Sequence, residues 1–242
     1  MLTDPRLASL YDIDNPDGPD HDHWRRLADQ VEPLTIIDLG CGTGLLTVSL
    51  ASVARRTIGI DPDAGMLAVA RRRPEAENVE WRLGDSRAIE ESGVELVLMT
   101  GNVAQHVGPR HWPGTLEKVS AALSPGGVLG FETRNPDARA WRGWTPEATC
   151  STRETLHGKL TEWLEATEPD QDGTVILTAH NLWSESGEDL VVEQPLTFRG
   201  LEELVEDLAA AGLSVRAVHG GWDGEQFNAA SALIVLTAEK IA

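Results

Sequence analysis

Residues 36–45 read IIDLGCGTGL, an apolar run that ends in an acid and leads into glycines at alternate positions. The apolar run predicts a buried strand, and the apolar spacing after Gly44 predicts a helix. Glycine lacks the Cβ that would hold a ligand away from the backbone, so glycines between a strand and a helix indicate a ligand-binding turn. This unit predicts an α/β fold with a site at the end of the first strand.

Apolar runs and helical patterns alternate around this turn, as they do in a doubly wound sheet. The predicted strands are residues 34–39, 56–60, 79–83, 94–99 and 128–132, and the predicted helices are residues 21–31, 44–53, 63–73 and 109–123. The apolar runs are nearly continuous, which fits strands that are buried on both faces. The first half of the chain is therefore predicted to be a parallel α/β unit.

The pattern changes after residue 132. Three strand-like segments separated by turn residues predict an antiparallel meander, and a helix and two strands follow it. These elements are residues 159–168, 174–183, 189–198, 200–211, 213–218 and 232–237. At the other end of the chain, residues 1–20 are rich in Asp, Pro and Gly and predict an irregular arm. Asp20 or Asp22 is the predicted N-cap of the helix that follows the arm.

The composition limits the classes of partner. The chain has 20 basic and 39 acidic residues, a net charge of −19, which disfavours nucleic-acid phosphate and anionic membrane surfaces. Hydrophobic residues make up 41% of the chain, a value typical of a globular protein. No apolar run approaches the ~20 residues that span a bilayer, and no signal-peptide pattern is present. We therefore expect a cytoplasmic protein, and its two widely separated cysteines predict no disulfide framework.

Two ligand classes bind at glycine-rich turns of this kind. A dinucleotide site needs Gly-x-Gly-x-x-Gly or Ala, and the third small position is Leu45 here, which is too large for close approach of a pyrophosphate. Asp38 precedes the glycines, where a carboxylate disfavours a phosphate and favours an ammonium group. Asp61 ends the second strand, where a carboxylate can accept both hydroxyls of a ribose. A nicotinamide cofactor is thus the alternative to a ribose-containing, amine-bearing ligand.

Four segments resemble, in order, the motifs of class I S-adenosylmethionine-dependent methyltransferases. They are residues 38–44, 59–61, 84–86 and 123–127. The resemblance covers residues 34–133 well and the C-terminal elements more loosely. It implies an α/β fold with a doubly wound, seven-stranded Rossmann-like sheet and an antiparallel β insertion after the fifth strand. The expected organisation is one methyltransferase domain with an N-terminal arm and helix (1–31), a cofactor-binding core (32–133), a substrate cap (134–198) and C-terminal helix and strands (199–242).

The resemblance also assigns contacts with S-adenosylmethionine. Asp38 is expected near the amino group of the cofactor, and Asp61 on its ribose hydroxyls. The expected contacts on the adenine side are Pro62, Met66, Gly84, Asp85 and Ser86. Those on the methionine and ribose side are Gly40, Cys41, Gly42, Gly44, Thr100, Gly101 and Asn102. Tyr11 stands where similar proteins place a tyrosine over the cofactor, and a surface position in a loose arm is the alternative.

Catalysis of methyl transfer needs mainly alignment, but a hydroxyl acceptor also benefits from a general base. The candidate base is His106, shortly after the fourth strand. Glu132 and Arg134 leave the fifth strand towards the ligand and are candidates to touch the acceptor. Four tryptophans are candidates to line the acceptor pocket and hold a cationic amine, with packing alone as the alternative for each: Trp141, Trp144, Trp163 and Trp183.

No metal site is expected, because two histidines at i and i+2 of a helix, as at His21 and His23, point to different faces. The motifs of methyltransferases that act on nucleic acids are absent. The sequence therefore predicts a methyltransferase that acts on a nitrogen or oxygen of a small molecule, and an amine is one candidate acceptor. The alternatives are an NAD(P)-dependent oxidoreductase and a non-catalytic S-adenosylmethionine-binding protein. The oligomeric state stays open.

Overall fold

A computed structural model describes residues 4–241 of the chain. Its strands are β1 (Thr35–Leu39), β2 (Arg56–Asp61), β3 (Val79–Leu83), β4 (Val94–Met99), β5 (Leu123–Arg134), β6 (Ser151–Thr155), β7 (Gly158–Ala166), β8 (Thr174–Trp183), β9 (Glu188–Thr197), β10 (Leu213–His219) and β11 (Leu233–Lys240). Seven of them form one sheet in the order β3-β2-β1-β4-β5-β11-β10. Within it, β11 runs antiparallel to both of its neighbours. The predicted seven-stranded α/β sheet is thus confirmed.

The helices cover both faces of this sheet. They are α1 (Pro5–Asp14), α2 (Pro19–Val31), α3 (Leu45–Leu50), α4 (Ala64–Ala70), α5 (Val103–His106), α6 (Trp112–Ala122), α7 (Pro146–Thr149) and α8 (Leu201–Ala210). Gly130 in β5 allows α2 to pack closely, because a Cβ there would lie 2.7 Å from the Trp24 ring. Among residues 4–241, no helix is both long and apolar enough to cross a membrane.

The prediction that the N-terminal arm is irregular is wrong, because the arm contains a helix. Residues 5–14 form a helix with Asp4 as its N-cap, whose carboxylate accepts a hydrogen bond from the Arg6 backbone N–H at 2.8 Å. Leu7 and Leu10 are buried on this helix and pack in a cluster with Trp183 of the insertion. This contact with a distant part of the chain stabilises α1. The helix therefore does not need the repeating apolar pattern by which a helix is recognised in a sequence.

The start of α2 also differs from the prediction. Gly18, and neither Asp20 nor Asp22, is the N-cap, and no side chain caps the helix. Pro19 occupies the first helical position, where its missing N–H costs nothing. Both aspartates lie in the first turn instead, where their charges favour the helix dipole.

The insertion after β5 is a four-stranded antiparallel sheet in the order β6-β7-β8-β9. Three of these strands were predicted, and the bounds of β8 agree at both ends. The prediction missed β6, whose sequence STRET contains no large apolar side chain. This strand lies at the sheet edge and is mostly exposed, so burial left no pattern in its sequence.

Candidate active site

The loops that follow β1 to β4 meet at the carboxyl edge of the sheet, where neighbouring strands β1 and β4 lead to opposite faces. Such a switch point opens a crevice for ligands in α/β sheets. A cavity of about 680 Å³ lies here. The residues along its wall include Leu39, Gly40, Pro62, Asp85, Ser86, Val103, His106, His111 and Thr115. Each of the first four strands thus contributes to one site through the loop that follows it in the sequence.

Two of the three glycines in the turn are required by close packing within the protein. Gly40 and Gly44 have φ of +82° and +73°, a region that glycine adopts without strain. A Cβ on Gly40 would lie 2.3 Å from Val103, and one on Gly44 would lie 2.4 Å from Trp81. Gly42 has φ of +53°, and a Cβ there would meet only Met66, at 3.8 Å. The outer glycines therefore let the turn pack on the protein, while Gly42 borders open space.

Backbone hydrogen bonds hold the turn against the end of β2. The N–H groups of Gly40 and Cys41 donate to the carbonyl of Ile60 at 2.7 and 3.1 Å. The Gly42 N–H donates to Asp61 Oδ2 at 2.8 Å. These bonds fix the turn and the acid of the next strand as one rigid unit.

Asp38 is a buried carboxylate with one oxygen unpaired. Its side chain is 1% exposed, and Thr47 donates a hydrogen bond to Oδ2 at 2.6 Å. Among residues 4–241, Oδ1 has no hydrogen-bond partner. Burial raises the pKa of Asp38 to about 6. An oxygen of this kind needs a donor, and the amino group predicted for the ligand has the matching chemistry.

Asp61 lies at the end of β2 and accepts two backbone hydrogen bonds. Besides the bond from Gly42, its Oδ1 accepts from the Asp63 N–H at 2.8 Å. Burial raises the pKa of Asp61, and these two donors oppose that effect. A carboxylate oxygen accepts more than one hydrogen bond, so the fixed carboxylate retains lone pairs for the hydroxyls of a ribose. Asp63, and not Asp61, caps α4.

The residues expected on the adenine side lie together near the end of β3. Gly84 donates its N–H to the Asp61 carbonyl at 3.0 Å, which ties this loop to β2. Asp85 forms an exposed ion pair with Arg87 at 2.7 Å. Ser86 is buried and its hydroxyl lies 3.2 Å from that of Thr115. Asp85 and Ser86 thus border the cavity with polar groups already in contact with protein.

Two further residues of this side differ in exposure. Pro62 is exposed and borders the cavity. Met66 is 7% exposed and lies beneath Gly42. These two apolar side chains lie four residues apart around the start of α4.

The segment after β4 meets the end of β5. Thr100 follows β4, and Gly101 and Asn102 adopt φ of +70° and +61°. The Asn102 N–H donates to Glu132 Oε1 at 2.6 Å. Within residues 4–241, Glu132 Oε2 and Asn102 Oδ1 are buried without a hydrogen-bond partner. Burial raises the pKa of Glu132 to about 7, and the charge of Asp20 adds to the effect.

His106 is the last residue of α5. Its side chain lies in the cavity wall and is accessible from the cavity. Desolvation, and then the charge of Arg134, lower the pKa of His106 below its usual range. The ring is therefore neutral at pH 7 and has a nitrogen lone pair for a proton. Arg134 donates to Gln105 Oε1 at 2.8 Å, one residue before His106.

Helix α1 brings Tyr11 to this edge. Burial raises the pKa of the Tyr11 hydroxyl, and the nearby charges of Asp61 and Glu132 raise it further. The next residue, Asp12, accepts a hydrogen bond from Thr43 Oγ1 at 2.5 Å and pairs with Arg73. Tyr11 therefore lies near both acids, and Asp12 fastens α1 to the glycine turn.

Arg73 is a residue that sequence reasoning missed. The run of three arginines at residues 71–73 suggests a helix C-cap. In the structure, the Arg73 guanidinium reaches Asp12 and donates from Nε to the Thr43 carbonyl at 2.5 Å. No local pattern distinguishes Arg73 from its neighbours, because both of its partners are distant in the sequence.

The four tryptophans expected around the acceptor do not form one pocket. Trp141 and Trp144 pack on Phe198, whereas Trp163 stacks on His180 at 4.4 Å. Trp183 packs against α1. The Trp144 ring also has the Arg134 guanidinium 5.3 Å from its centre. The prediction of one acceptor pocket lined by all four rings is therefore wrong.

The two histidines of α2 have separate partners. His21 Nδ1 lies 2.8 Å from Asp17, and His23 Nδ1 lies 3.0 Å from the Trp222 carbonyl. No group of three or more potential metal ligands occurs within residues 4–241.

Comparison with known proteins supports the same family. Residues 36–127 match the methyltransferase domain family. A ubiquinone biosynthesis O-methyltransferase of Dinoroseobacter shibae is 32% identical over 177 residues, which cover 66% of this chain and 70% of the relative. One with the same name from Paramagnetospirillum magneticum is 32% identical over 130 residues, or 49% of this chain and 51% of the relative. The matched region thus spans about half the length of several such relatives.

Solved structures share the whole architecture. The CcbJ methyltransferase from Streptomyces caelestis has a TM-score of 0.78 and 20% identity, with 98% of this chain and 97% of the other covered. CalS10, an amino pentose methyltransferase from Micromonospora echinaspora, has a TM-score of 0.67 and 21% identity, with 93% of each chain covered. At these identities the likeness concerns the fold. Together with the sequence matches, it establishes that the chain belongs to the class I S-adenosylmethionine-dependent methyltransferases.

Proposed function

We propose that the protein transfers the methyl group of S-adenosylmethionine to a nitrogen or oxygen of a small-molecule acceptor. The observation that carries this proposal is the pair of acids around the glycine turn. Asp38 has a buried unpaired oxygen, and Asp61 is a carboxylate held rigid by backbone N–H groups. The first suits an ammonium group and the second suits ribose hydroxyls.

The remaining assigned residues would hold the other parts of the cofactor. Pro62 and Met66 offer apolar surface for the adenine, and Asp85 and Ser86 offer polar groups for its edge. Gly42 leaves space beside the turn, and residues 100–102 border the methionine side. The bound cofactor supplies the reactive methyl group. The protein would align the two reactants, and Tyr11 on α1 would cover the cofactor.

His106 is the proposed general base for a hydroxyl acceptor. Its neutral ring at the cavity wall can accept the hydroxyl proton as the methyl group is transferred. A neutral amine acceptor needs little more than positioning, so the role of His106 depends on the acceptor atom.

The relatives support both acceptor atoms. The two sequence relatives described above are named O-methyltransferases, while KedS8 from Streptoalloteichus, which shares the fold, is described as a sugar N-methyltransferase. All of these act on small molecules by name, in agreement with the net charge of −19. The amine acceptor and the cytoplasmic location stay predictions.

The two alternative functions predict different ligands or different results in an activity assay. An NAD(P)-dependent oxidoreductase would have to place a pyrophosphate beside Leu45 and the buried Asp38 carboxylate, which is unfavourable. A non-catalytic binding protein would bind S-adenosylmethionine and transfer nothing. Leu45 and Asp38 thus favour the methyltransferase over the first alternative, and only an activity assay separates it from the second.

The test is a transfer assay with labelled S-adenosylmethionine and a panel of phenols, hydroxy acids and amines. We expect a methylated product with at least one acceptor. For a hydroxyl acceptor, we expect His106→Gln to lower kcat about 100-fold, whereas His111→Gln, at the same cavity, leaves it nearly unchanged. Because the pKa of His106 is lowered, the wild-type rate is expected to fall with a midpoint well below the pKa of about 6.5 of an ordinary imidazole.

Two results would count against the proposal. Binding of S-adenosylhomocysteine without any transfer across the panel would favour the non-catalytic binding protein. Equal kcat values for His106→Gln and the wild type on a hydroxyl acceptor would remove the base role and leave the methyltransferase assignment in place.

A further inference from the structure

Arg134 is a largely buried cation that forms no ion pair within the part of the chain that the structure describes. It ends β5, and its backbone lies beyond the end of β4, because the last β4 residue, Met99, pairs with Phe131. A guanidinium has five N–H donors. Within residues 4–241, its one side-chain hydrogen bond is to Gln105 Oε1 at 2.8 Å, and no carboxylate lies within ion-pair distance. Several donors of Arg134 therefore remain available.

Arg199 shows what a structural arginine looks like in this fold. It also stacks on a tryptophan, with its guanidinium 4.5 Å from the centre of Trp112. Unlike Arg134, it donates to two backbone carbonyls, of Ala104 at 2.9 Å and of Val107 at 2.7 Å. Arg199 is 2% exposed, whereas Arg134 is accessible in part. Arg134 thus combines burial with donors that a ligand can reach.

The surroundings of Arg134 place it beside the proposed transfer site. Its charge acts on His106, which faces the cavity, and on Tyr11, which lies near Asp61. Glu132, two residues earlier on the same strand, is fixed by the Asn102 N–H and does not reach Arg134 as an ion pair. Trp144 covers one side of the guanidinium. The guanidinium is therefore held between Trp144 and Gln105, the residue that directly precedes His106.

We propose that the methyl acceptor carries a carboxylate and that Arg134 binds it through the free edge of its guanidinium. This inference rests on the proposed function, since it names the class of its acceptor. Arg134 would act as a specificity residue that positions the acceptor near His106.

A carboxylate fits this site better than the other charged groups. The planar guanidinium fork matches the two oxygens of a carboxylate, and a single bound anion restores the charge balance around a buried cation. A cationic amine would be repelled by Arg134, which already lies against the Trp144 ring. A phosphate dianion carries a second negative charge, which the single charge of the guanidinium does not balance. With a net charge of −19 on the chain, an anionic acceptor needs such a local cation.

In the experiment, three probes of similar shape are titrated into the complex of the full chain with S-adenosylhomocysteine, and binding is monitored by nuclear magnetic resonance. The probes are benzoate, benzamide and benzylamine, which differ in charge. We expect the wild type to bind benzoate at least tenfold more tightly than either of the others. In Arg134→Gln, this preference should fall below threefold. Arg134→Lys keeps the charge but not the fork and should show an intermediate preference.

Arg142→Gln is the matched control, because it removes an exposed arginine near Trp144. It should keep the wild-type preference. Absent benzoate binding in the wild type, or an undiminished preference in both Arg134 variants, would overturn the inference. The affinity for S-adenosylhomocysteine, measured first on each protein, separates the two proposals: if it is retained, only the acceptor class fails, and if the wild type lacks it, the proposed function fails as well.

Discussion

The ends of β1 and β5 both carry buried charge at the same edge of the sheet, yet they are built differently. Asp38, near the end of β1, leads into a turn that is fixed by close packing of Gly40 and Gly44 and by backbone hydrogen bonds to β2. Glu132 and Arg134, at the end of β5, carry polar atoms that the described residues pair only in part. The first region is a rigid cradle, whereas the second leaves donors and acceptors for a variable partner.

This difference corresponds to the two ligands of a methyltransferase. The cofactor is common to the family, so a local motif in consecutive residues can bind it. The acceptor differs between relatives, and its site is assembled from side chains that are distant in the sequence. Each of the following substitutions tests one side of this division.

The largest effect is expected at the first glycine. Gly40→Ala introduces a Cβ 2.3 Å from Val103 at a φ of +82°, and we expect the free energy of unfolding to fall by about 3 kcal/mol. Binding of S-adenosylhomocysteine should be lost as the turn shifts. Urea unfolding and calorimetry measure the two effects.

Gly93→Ala provides the control for backbone strain alone. Gly93 has a φ of +77°, but a Cβ there would meet nothing within 4 Å, so a loss of about 1 kcal/mol is expected. If Gly40→Ala costs no more than Gly93→Ala, packing against Val103 does not shape the turn.

The next effect concerns the buried acid of the acceptor side. Burial raises the pKa of Glu132 from the usual 4.5 of a glutamate to about 7. The folded state therefore binds the proton more tightly, and the free energy of unfolding falls as pH rises from 4.5 to about 7. Glu132→Gln removes this dependence, so its stability relative to the wild type should rise by on the order of 2 kcal/mol between pH 5 and pH 8.

Urea unfolding at several pH values checks this expectation. Glu202→Gln, which removes a carboxylate from the exposed side of α8, should follow the wild-type curve. Parallel curves for Glu132→Gln and the wild type would show that Glu132 is not held in an unfavourable charged state above pH 7.

The smallest effect is expected where α1 joins the cradle. Asp12→Asn weakens the contacts with Arg73 and Thr43, which are partly exposed. We expect the affinity for S-adenosylhomocysteine to fall about fivefold, or ~1 kcal/mol. Asp14→Asn affects α1 only through its ion pair with Arg153 of the insertion and should change the affinity less. Equal affinities of Asp12→Asn and the wild type would show that α1 does not support cofactor binding.

The sequence was informative where burial and backbone geometry leave a local pattern. The bounds of β3 and β4 agree with their apolar runs, and the glycine spacing indicated the turn with its positive φ angles. The doubly wound, seven-stranded sheet followed from the family resemblance, whereas its strand order is known only from the structure. Helix α1 and strand β6 were missed, because α1 depends on contacts with Trp183 and β6 is polar on both faces.

The candidate site shows the same limit. Asp38 and Asp61 stand in recognisable positions next to strand ends, so their neighbourhood could be predicted. The sequence also indicated Glu132 and Arg134 as acceptor contacts, but not that Arg134 lacks an ion-pair partner. The pairing of Arg73 with Asp12 had no local signal, because it depends on how α1 folds back over the turn.

The central claim is that the turn and the two acids form an S-adenosylmethionine site. Calorimetric titration of the full chain with S-adenosylhomocysteine and with NAD tests it most directly. We expect one molecule of S-adenosylhomocysteine to bind and NAD to give no binding heat. Asp61→Asn should weaken the binding roughly tenfold to a hundredfold, whereas Asp63→Asn, which keeps the cap of α4, should not. Binding of NAD in place of S-adenosylhomocysteine, or an Asp61→Asn variant with wild-type affinity, would contradict the account.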